Sequence, residues 1–438
     1  MIPAKKLFGT DGVRGVVGRE VTAELAMALG RAAALTIGPR RPQALVVRDT
    51  RESGPMLASA LAAGLADGGA DVWMAGVLPT PAASILVWRH GLDFAAVVSA
   101  SHNPWTDNGI KLFGGDGRKL PAEAEAEIEN AVTAAGSGNR PVGRIRDLEG
   151  ALDDYLRELH SVFQLDLAGR RVALDCANGA THRAAPAIFE RLGAEVISLG
   201  TEPDGRNINL GCGATEPAAV ARRVVDAGAE IGFAFDGDGD RVIAADRRGG
   251  LHDGDELLGL AGLALHQEGA LAGGIVVTVM TNLGFHRAMR AAGIEVATTP
   301  VGDRHVAAAL DEHGWTLGGE QSGHLIWTEA GRTGDGIAAA LLAMRSLGRR
   351  EMADAAPFEK LPQVLVNVRV TDRAGFERSE AIREAVAEEE ARLDGRGRVL
   401  LRPSGTEPVV RVMVEAETRA ECEAVAERLS KVVAEALG

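Results

Sequence analysis

One local pattern recurs three times along the chain, and it leaves few folds open. Residues 44–49 are an apolar strand ending in charge; a helical run follows over 55–65, then Gly69 and a second strand ending at Trp73. Residues 171–175, 182–192 and 193–197 repeat that order, and so do 274–278, 284–292 and 293–297. Strand, polar loop, amphipathic helix, glycine, strand is a β-α-β unit, whose helical crossover joins parallel strands. Three copies predict three related α/β domains with mixed sheets in tandem. The C-terminal stretch breaks the pattern. Residues 364–370 alternate like a half-exposed strand, a charged helix is expected over 377–393, strands at 398–402 and 409–415, and a last helix over 419–437. That order predicts a smaller C-terminal α+β domain. Glycine, proline and charge accumulate between these blocks, giving expected domains at 1–150, 151–250, 251–360 and 361–438.

A chain of 438 residues with 46% hydrophobic and 25% charged residues has material for several cores and is globular. Its formal net charge is −14, from 47 basic against 61 acidic residues. Such a chain repels nucleic acid and anionic membranes, so neither is an expected partner, and an anionic substrate requires arginine and lysine gathered locally. Cys176, Cys212 and Cys422 are far apart without C-x-x-C spacing, as expected in a reducing cytoplasm. No apolar leader follows Met1, and no stretch approaches the uncharged length that spans a bilayer. A cytoplasmic location is expected.

The chemistry is concentrated in a few loops. Asp236-Gly237-Asp238-Gly239-Asp240-Arg241 follows the apolar run 231–235. Glycines let the backbone turn so that three carboxylates converge. Two unit charges about 4 Å apart repel by roughly 4 kcal/mol at an effective dielectric near 20, so a converged trio needs a cation. Its hard oxygens favour Mg²⁺ or Ca²⁺; a solvated acidic turn is the competing reading. Ser99-Ala100-Ser101-His102-Asn103-Pro104 opens at another strand end, where ligands of α/β folds bind, and offers a nucleophilic serine with His102 as an orienting group. Lys111 lies just downstream and is a proton donor or acceptor if its surroundings lower its pKa. Residues 7–15 form a glycine-rich loop carrying Arg14, with no preceding strand and hence no dinucleotide fingerprint. Gly319-Glu320-Gln321-Ser322-Gly323-His324 mixes donors and acceptors in a way that suits a polyol. Arg402-Pro403-Ser404-Gly405-Thr406-Glu407-Pro408, with Arg411 beyond, is a plausible cradle for a phosphate dianion; a salt-bridged hairpin is the alternative. A serine nucleophile, a divalent site, a polyol loop and a phosphate cradle in four successive segments describe phosphoryl transfer on a sugar phosphate.

Those four motifs, in that order over nearly the whole chain, resemble the α-D-phosphohexomutases. Gln321, the opening segment 8–15 and residues 361–368 resemble the bacterial branch acting on glucosamine phosphates, which feeds amino-sugar nucleotide and cell-wall precursor synthesis. The resemblance implies four domains around a central cleft. It implies that Ser101 is carried as phosphoserine and that Mg²⁺ sits on Asp236, Asp238, Asp240 and a phosphoserine oxygen. Arg241 would contact the same phosphoryl group, with Arg14 and Lys111 flanking the reaction centre. Glu320 and Ser322, with His324 in the same loop, would hold the sugar, and Arg402, Ser404, Gly405, Thr406 and Arg411 the non-reacting phosphate. The expected reaction converts glucosamine 6-phosphate to glucosamine 1-phosphate through a glucosamine or glucose 1,6-bisphosphate that turns end for end. Mutases of mannose or glucose phosphates, and a metal-dependent sugar-phosphate phosphatase, are the rival readings. A homodimer, and a kinase or autophosphorylation as the source of the first phosphoryl group, stay open. His305 stands where the family pattern leads one to expect tyrosine.

Overall fold

The computed structural model describes residues 7–9, 11–133, 140–404 and 408–438. The chain forms two compact units, one of Met1–Met280 with Ile294–Ala356 and one of Thr281–Gly293 with Pro357–Gly438.

The larger unit holds three mixed sheets. The first comprises β1 (Val13–Val16), β2 (Gln43–Arg48), β3 (Asp71–Val77), β4 (Phe94–Val98), β5 (Asp107–Gly114) and β6 (Ile145–Asp147), in the order β1-β5-β4-β2-β3-β6. β6, β3, β2 and β4 run parallel, and β5 turns back antiparallel to pair with β4 and β1. Its helices are α1 (Ala23–Thr36), α2 (Gly54–Asp67), α3 (Thr80–Arg89) and α4 (Ala122–Thr133). α1 starts where the Thr22 hydroxyl accepts the Leu25 N–H at 3.2 Å. It crosses α2 through Gly30 and Gly64, where an added Cβ would overlap the carbonyl oxygens of Leu61 and Met27 respectively. The glycines thus set how close these helices come, over a core that includes Leu29, Val46, Leu61 and Phe94. Residues 13–15, read from sequence as the end of a glycine-rich loop, lie instead in the edge strand β1: Val13 pairs with Ile110 and is buried, so burial overrides the local glycines. α4 presents an acidic exposed face, except that Glu125 is buried and takes both terminal nitrogens of Arg304 at 2.8 and 3.1 Å.

The second sheet, in the order β11-β10-β9-β7-β8, is built from β7 (Arg171–Asp175), β8 (Glu195–Leu199), β9 (Ile231–Phe235), β10 (Val242–Asp246) and β11 (Leu251–His252). β8, β7 and β9 are parallel, and β9, β10 and β11 form an antiparallel meander. α5 (Ala151–Val162), α6 (Ala184–Arg191) and α7 (Ala218–Ala227) belong to this stretch. β9 is buried at every residue, which is why it reads as an unbroken apolar run. Downstream, α8 (Gly254–Gln267) begins with a capping box between Asp253 and Glu256. The third sheet, β13-β12-β14-β15, consists of β12 (Ile275–Thr278), β13 (Val296–Thr299), β14 (Leu317–Gly319) and β15 (Leu325–Trp327). Between β12 and β13 comes α9 (Leu283–Ala291), which groups with the C-terminal unit. α10 (Asp303–His313) and α11 (Gly336–Leu347) complete the third stretch.

The C-terminal unit is α+β. β16 (Gln363–Arg369), β17 (Arg398–Pro403) and β18 (Val409–Glu415) make an antiparallel sheet in the order β16-β18-β17, with α12 (Glu380–Leu393) and α13 (Arg419–Leu437). Val410, Val412 and Val414 are buried against Cys422, Val425 and Leu429 of α13. Alternation along β16 leaves Leu365 half exposed. Within this unit Glu415 is fully buried and accepts the Leu283 N–H at 2.9 Å and Arg398 Nε at 2.7 Å, tying α9 to the sheet. Three mixed α/β sheets followed by a smaller antiparallel layer are the fold class the sequence predicts, and each of the three β-α-β units has its strands parallel and adjacent.

Candidate active site

The reactive loops of the larger unit leave the carboxyl ends of parallel strands, where strand ends leave backbone groups open and ligands of α/β folds bind. β4 ends at Val98 and delivers Ser99–Ser101; β9 ends at Phe235 and delivers the aspartates; β14 ends at Gly319 and delivers Glu320. Ser101 is buried and left-handed, with φ +52°, and its Oγ donates to Asp236 Oδ2 at 2.5 Å. His102 Nδ1 is 3.3 Å from Ser101 Oγ. The two loops meet closely because Gly237 lacks a side chain; a Cβ there would overlap the Ser101 carbonyl. Gly239, at φ +76°, makes the second turn that a β-carbon would strain.

Asp236, Asp238 and Asp240 are all buried, and one oxygen from each lies within 4.8 Å of the others. Asp236 Oδ1 accepts the Gly239 and Arg241 N–H groups at 3.1 and 3.2 Å, while Asp238 Oδ2 accepts Thr80 Oγ1 at 2.6 Å and Lys111 Nζ at 2.8 Å. Asp238 Oδ1 and Asp240 Oδ1 are buried and have no hydrogen-bond donor among the described residues. Three hard carboxylates with two orphaned oxygens fit a hard divalent cation. Burial pushes the Asp236 carboxyl well above the usual carboxylate range, and Asp240 and Asp238 push the same way. Burial would also raise Asp240, but Lys111, His324 and Arg241 hold it well below that range.

Lys111 is buried on β5, with Asp11 Oδ2 at 3.2 Å and Asp240 Oδ2 at 3.5 Å besides Asp238. Burial alone would lower its pKa; Asp11, Asp238 and Asp240 raise it instead. These carboxylates favour the ammonium form of Lys111, the opposite of the lowered pKa that the sequence reading sets as the condition for a proton acceptor. Arg14 pairs with Asp11, and Lys119 bridges Asp11 and Asp303. His324 is buried between Asp240, 3.8 Å from Nδ1, and Asp303, 3.8 Å from Nε2, and its Nε2 lies 3.1 Å from the Gly334 N–H. Burial would lower this imidazole, and the neighbouring carboxylates of Asp240 and Asp303 raise it. His324 thus sits beside the aspartate loop, which the sequence could not show. Glu320 Oε1 accepts the Gly302 N–H at 3.0 Å, and the exposed Ser322 stands at the tip of the same turn. Val242 N–H donates to the Gly323 carbonyl at 3.1 Å, which ties this turn to the aspartate loop. Arg241 Nε lies 3.8 Å from Asp240 Oδ1. His305 is exposed in the first turn of α10.

In the C-terminal unit Arg402 and Arg411 are directly paired across β17 and β18. Two like charges side by side oppose one another, a placement that an anion relieves. Burial lowers the Arg402 pKa and the neighbouring Arg411 lowers it further. Ser404 is buried at the start of the loop, while Gly405 and Thr406 lie outside the described residues. Sequence reasoning missed Asp49, Arg51, Thr80, Lys119, Asn209 and Asp303. Asp49 and Arg51 carried one usable signal, a charged run at the end of an apolar strand.

Models of the phosphoglucomutase/phosphomannomutase α/β/α domains I, II and III match residues 5–138, 153–250 and 253–363, and that of the C-terminal domain matches 365–432. The chain belongs to the phosphoglucomutase/phosphomannomutase family. A phosphoglucosamine mutase of Desulforudis audaxviator is 50% identical over 440 residues, covering 98% of each chain. A phosphoglucomutase/phosphomannomutase family protein from Burkholderia thailandensis is similar in structure (TM-score 0.85, 26% identity, covering 100% of this chain and 98% of that one). An N-acetylphosphoglucosamine mutase from Aspergillus fumigatus, solved with GlcNAc-6P and magnesium, shares the fold at TM-score 0.71 and 19% identity, covering 100% of this chain and 97% of that one. Ser101 and the aspartate trio thus lie in the stretches matched by domains I and II of this family.

Proposed function

We propose that the protein is a phosphoglucosamine mutase, interconverting glucosamine 6-phosphate and glucosamine 1-phosphate, with Ser101 as the phosphoryl carrier. The observation that carries the reading is the Ser101 hydroxyl held 2.5 Å from one of three buried, converging carboxylates. The full-length likeness to curated phosphoglucosamine mutases supports the choice of sugar. Asp236, Asp238 and Asp240 would hold Mg²⁺, which when bound would draw charge from the transferring group and offset the carboxylates.

The remaining chemistry belongs to the chain's own groups. The bond between phosphorus and Ser101 Oγ breaks as a sugar hydroxyl forms the new one; the sugar oxygen gives up a proton and Oγ takes one. Asp236 Oδ2, which accepts the Ser101 hydroxyl at 2.5 Å, orients Oγ for the exchange. The ammonium of Lys111 and the guanidinium groups of Arg14 and Arg241 supply fixed positive charge for the phosphoryl oxygens. Glu320 and Ser322, with His324 behind them, form the polar turn for sugar hydroxyls. Arg402, Ser404 and Arg411, with Gly405 and Thr406, would grip the other phosphate. The 1,6-bisphosphate then turns over and returns its second phosphoryl group to Ser101, which requires a grip based on charge and indifferent to which end it holds. The domain boundaries at 150, 250 and 360 belong to the same proposal; each of the first three blocks would contribute one loop to the reaction and the fourth the grip.

A panel of glucosamine, glucose and mannose 6-phosphates, with released inorganic phosphate measured in parallel, tests this reading. The highest kcat/KM is expected for glucosamine 6-phosphate with almost no phosphate released. Preference for glucose or mannose would overturn the sugar assignment, and stoichiometric phosphate release would make the protein a phosphatase.

A further inference from the structure

We propose that Arg51 is a positioning residue which, with Asp49 and Ser99, locks the backbone of Ser101 in the conformation that aims its hydroxyl at the aspartates. This rests on the reading of Ser101 as phosphoryl carrier. Arg51 is fully buried just beyond β2 and does not contact the aspartate trio through any hydrogen bond or ion pair. All five of its N–H donors are spent. Nε donates to Asp49 Oδ2 at 2.8 Å. Nη2 donates to the carbonyls of Ser101 and Asn103 at 2.8 and 2.9 Å, and Nη1 to those of Asp107, at 3.0 Å, and Pro104. The serine loop is therefore wrapped round one guanidinium, whose planar fork no lysine reproduces.

Asp49 continues the device. Its Oδ2 also accepts the Ser99 hydroxyl at 2.7 Å, and Ser99 Oγ accepts the Ser101 N–H at 3.0 Å. Asn209 Nδ2 adds a second donor to the Ser101 carbonyl at 3.0 Å. Both peptide groups of Ser101 are thus pinned, its N–H by Ser99 and its carbonyl by Arg51 and Asn209. A serine at φ +52° is in a region that L-residues avoid, and it stays there only when its surroundings hold it. Relaxation toward extended backbone would break these three hydrogen bonds and swing Oγ away from Asp236.

The test compares wild type, Arg51→Lys and Ser99→Ala in steady-state kinetics, in thermal unfolding and in the rate at which glucose 1,6-bisphosphate phosphorylates Ser101, followed by intact mass. A reacting atom displaced by about 1 Å loses on the order of 10²-fold in rate. Arg51→Lys is accordingly expected to lower kcat and the phosphorylation rate on the order of 10²-fold, and Ser99→Ala about tenfold, with KM within about threefold of wild type. Folded variants with wild-type kcat, even at lower Tm, would show a purely structural role and overturn the proposal. Should Arg51→Lys fail to fold, the kcat of Ser99→Ala decides in the same way. Wild type that never gains a phosphoryl group would overturn the carrier reading, and this proposal with it; phosphorylated wild type with unaffected variants would overturn this proposal alone.

Discussion

Asp238 stands at the meeting point of two demands. Its Oδ2 is fully engaged by Thr80 and Lys111, while its Oδ1 is buried and has no donor among the described residues. The engaged oxygen explains how the side chain is held, and the orphaned one what it is held for. Asn at this position keeps the shape and loses the charge, so Asp238→Asn is expected to lower kcat on the order of 10²–10³-fold, the range seen when one aimed electrostatic group is removed. Its Tm should stay close to wild type. Steady-state kinetics with saturating Mg²⁺ checks this, and unchanged turnover would remove the carboxylate from the mechanism. Lys111 shows why a residue type alone does not define a role. The same lysine is a base when its neighbours are apolar or cationic, whereas three aspartates favour its charged form.

At the scale of elements, glycines decide how closely layers pack. α2 carries Gly64 at its crossing with α1, where Ala would drive a methyl group into the Met27 carbonyl. In an open helix Gly→Ala gains about 1 kcal/mol from propensity. Here overpacking of roughly 1–3 kcal/mol should exceed that gain. Gly64→Ala is thus expected to lower the urea midpoint, and a raised midpoint would show that the two helices separate easily. α9 supplies a second case. His286 is half-buried on it, and burial with the nearby Arg398 and Arg290 lowers its pKa to about 4. The fold therefore favours the neutral ring, whereas the unfolded chain takes a proton below the ordinary value near 6.5. Its contribution is complete above that value and is lost as pH falls toward about 4. His286→Gln should flatten the fall in Tm across this window relative to wild type; parallel curves would contradict it.

For the molecule as a whole, charge is the organising quantity. The net charge of −14 opposes any anionic substrate, and the larger unit answers it by placing Arg14, Lys111, Lys119 and Arg241 among Asp11, Asp236, Asp238, Asp240 and Asp303. The cations are held by carboxylates until a ligand shares them. In the C-terminal unit Arg402 and Arg411 are set side by side on adjacent strands, so a dianion there would relieve a repulsion built into the sheet. Both arrangements set positive charge locally against an acidic background, as the composition requires for any anionic ligand to bind.

The sequence by itself determined the layers and the reactive loops. Strand–helix periodicity is local, so the three β-α-β units were legible, and so was the alternating strand β16. The aspartate and serine loops were legible because each packs its reactive groups into half a dozen consecutive residues at the end of an apolar strand. Only the tertiary structure decided what those groups do. Asp11 and Asp303 are nearly three hundred residues apart and meet at Lys119, whose ion pairs are with both. Arg51 gives no sign of its role until a loop about fifty residues later folds round it. The sign of the Lys111 pKa shift likewise depends on which carboxylates the fold brings near. Local pattern fixes backbone state over a few residues, whereas electrostatics and hydrogen-bond saturation are sums over neighbours that only folding assembles.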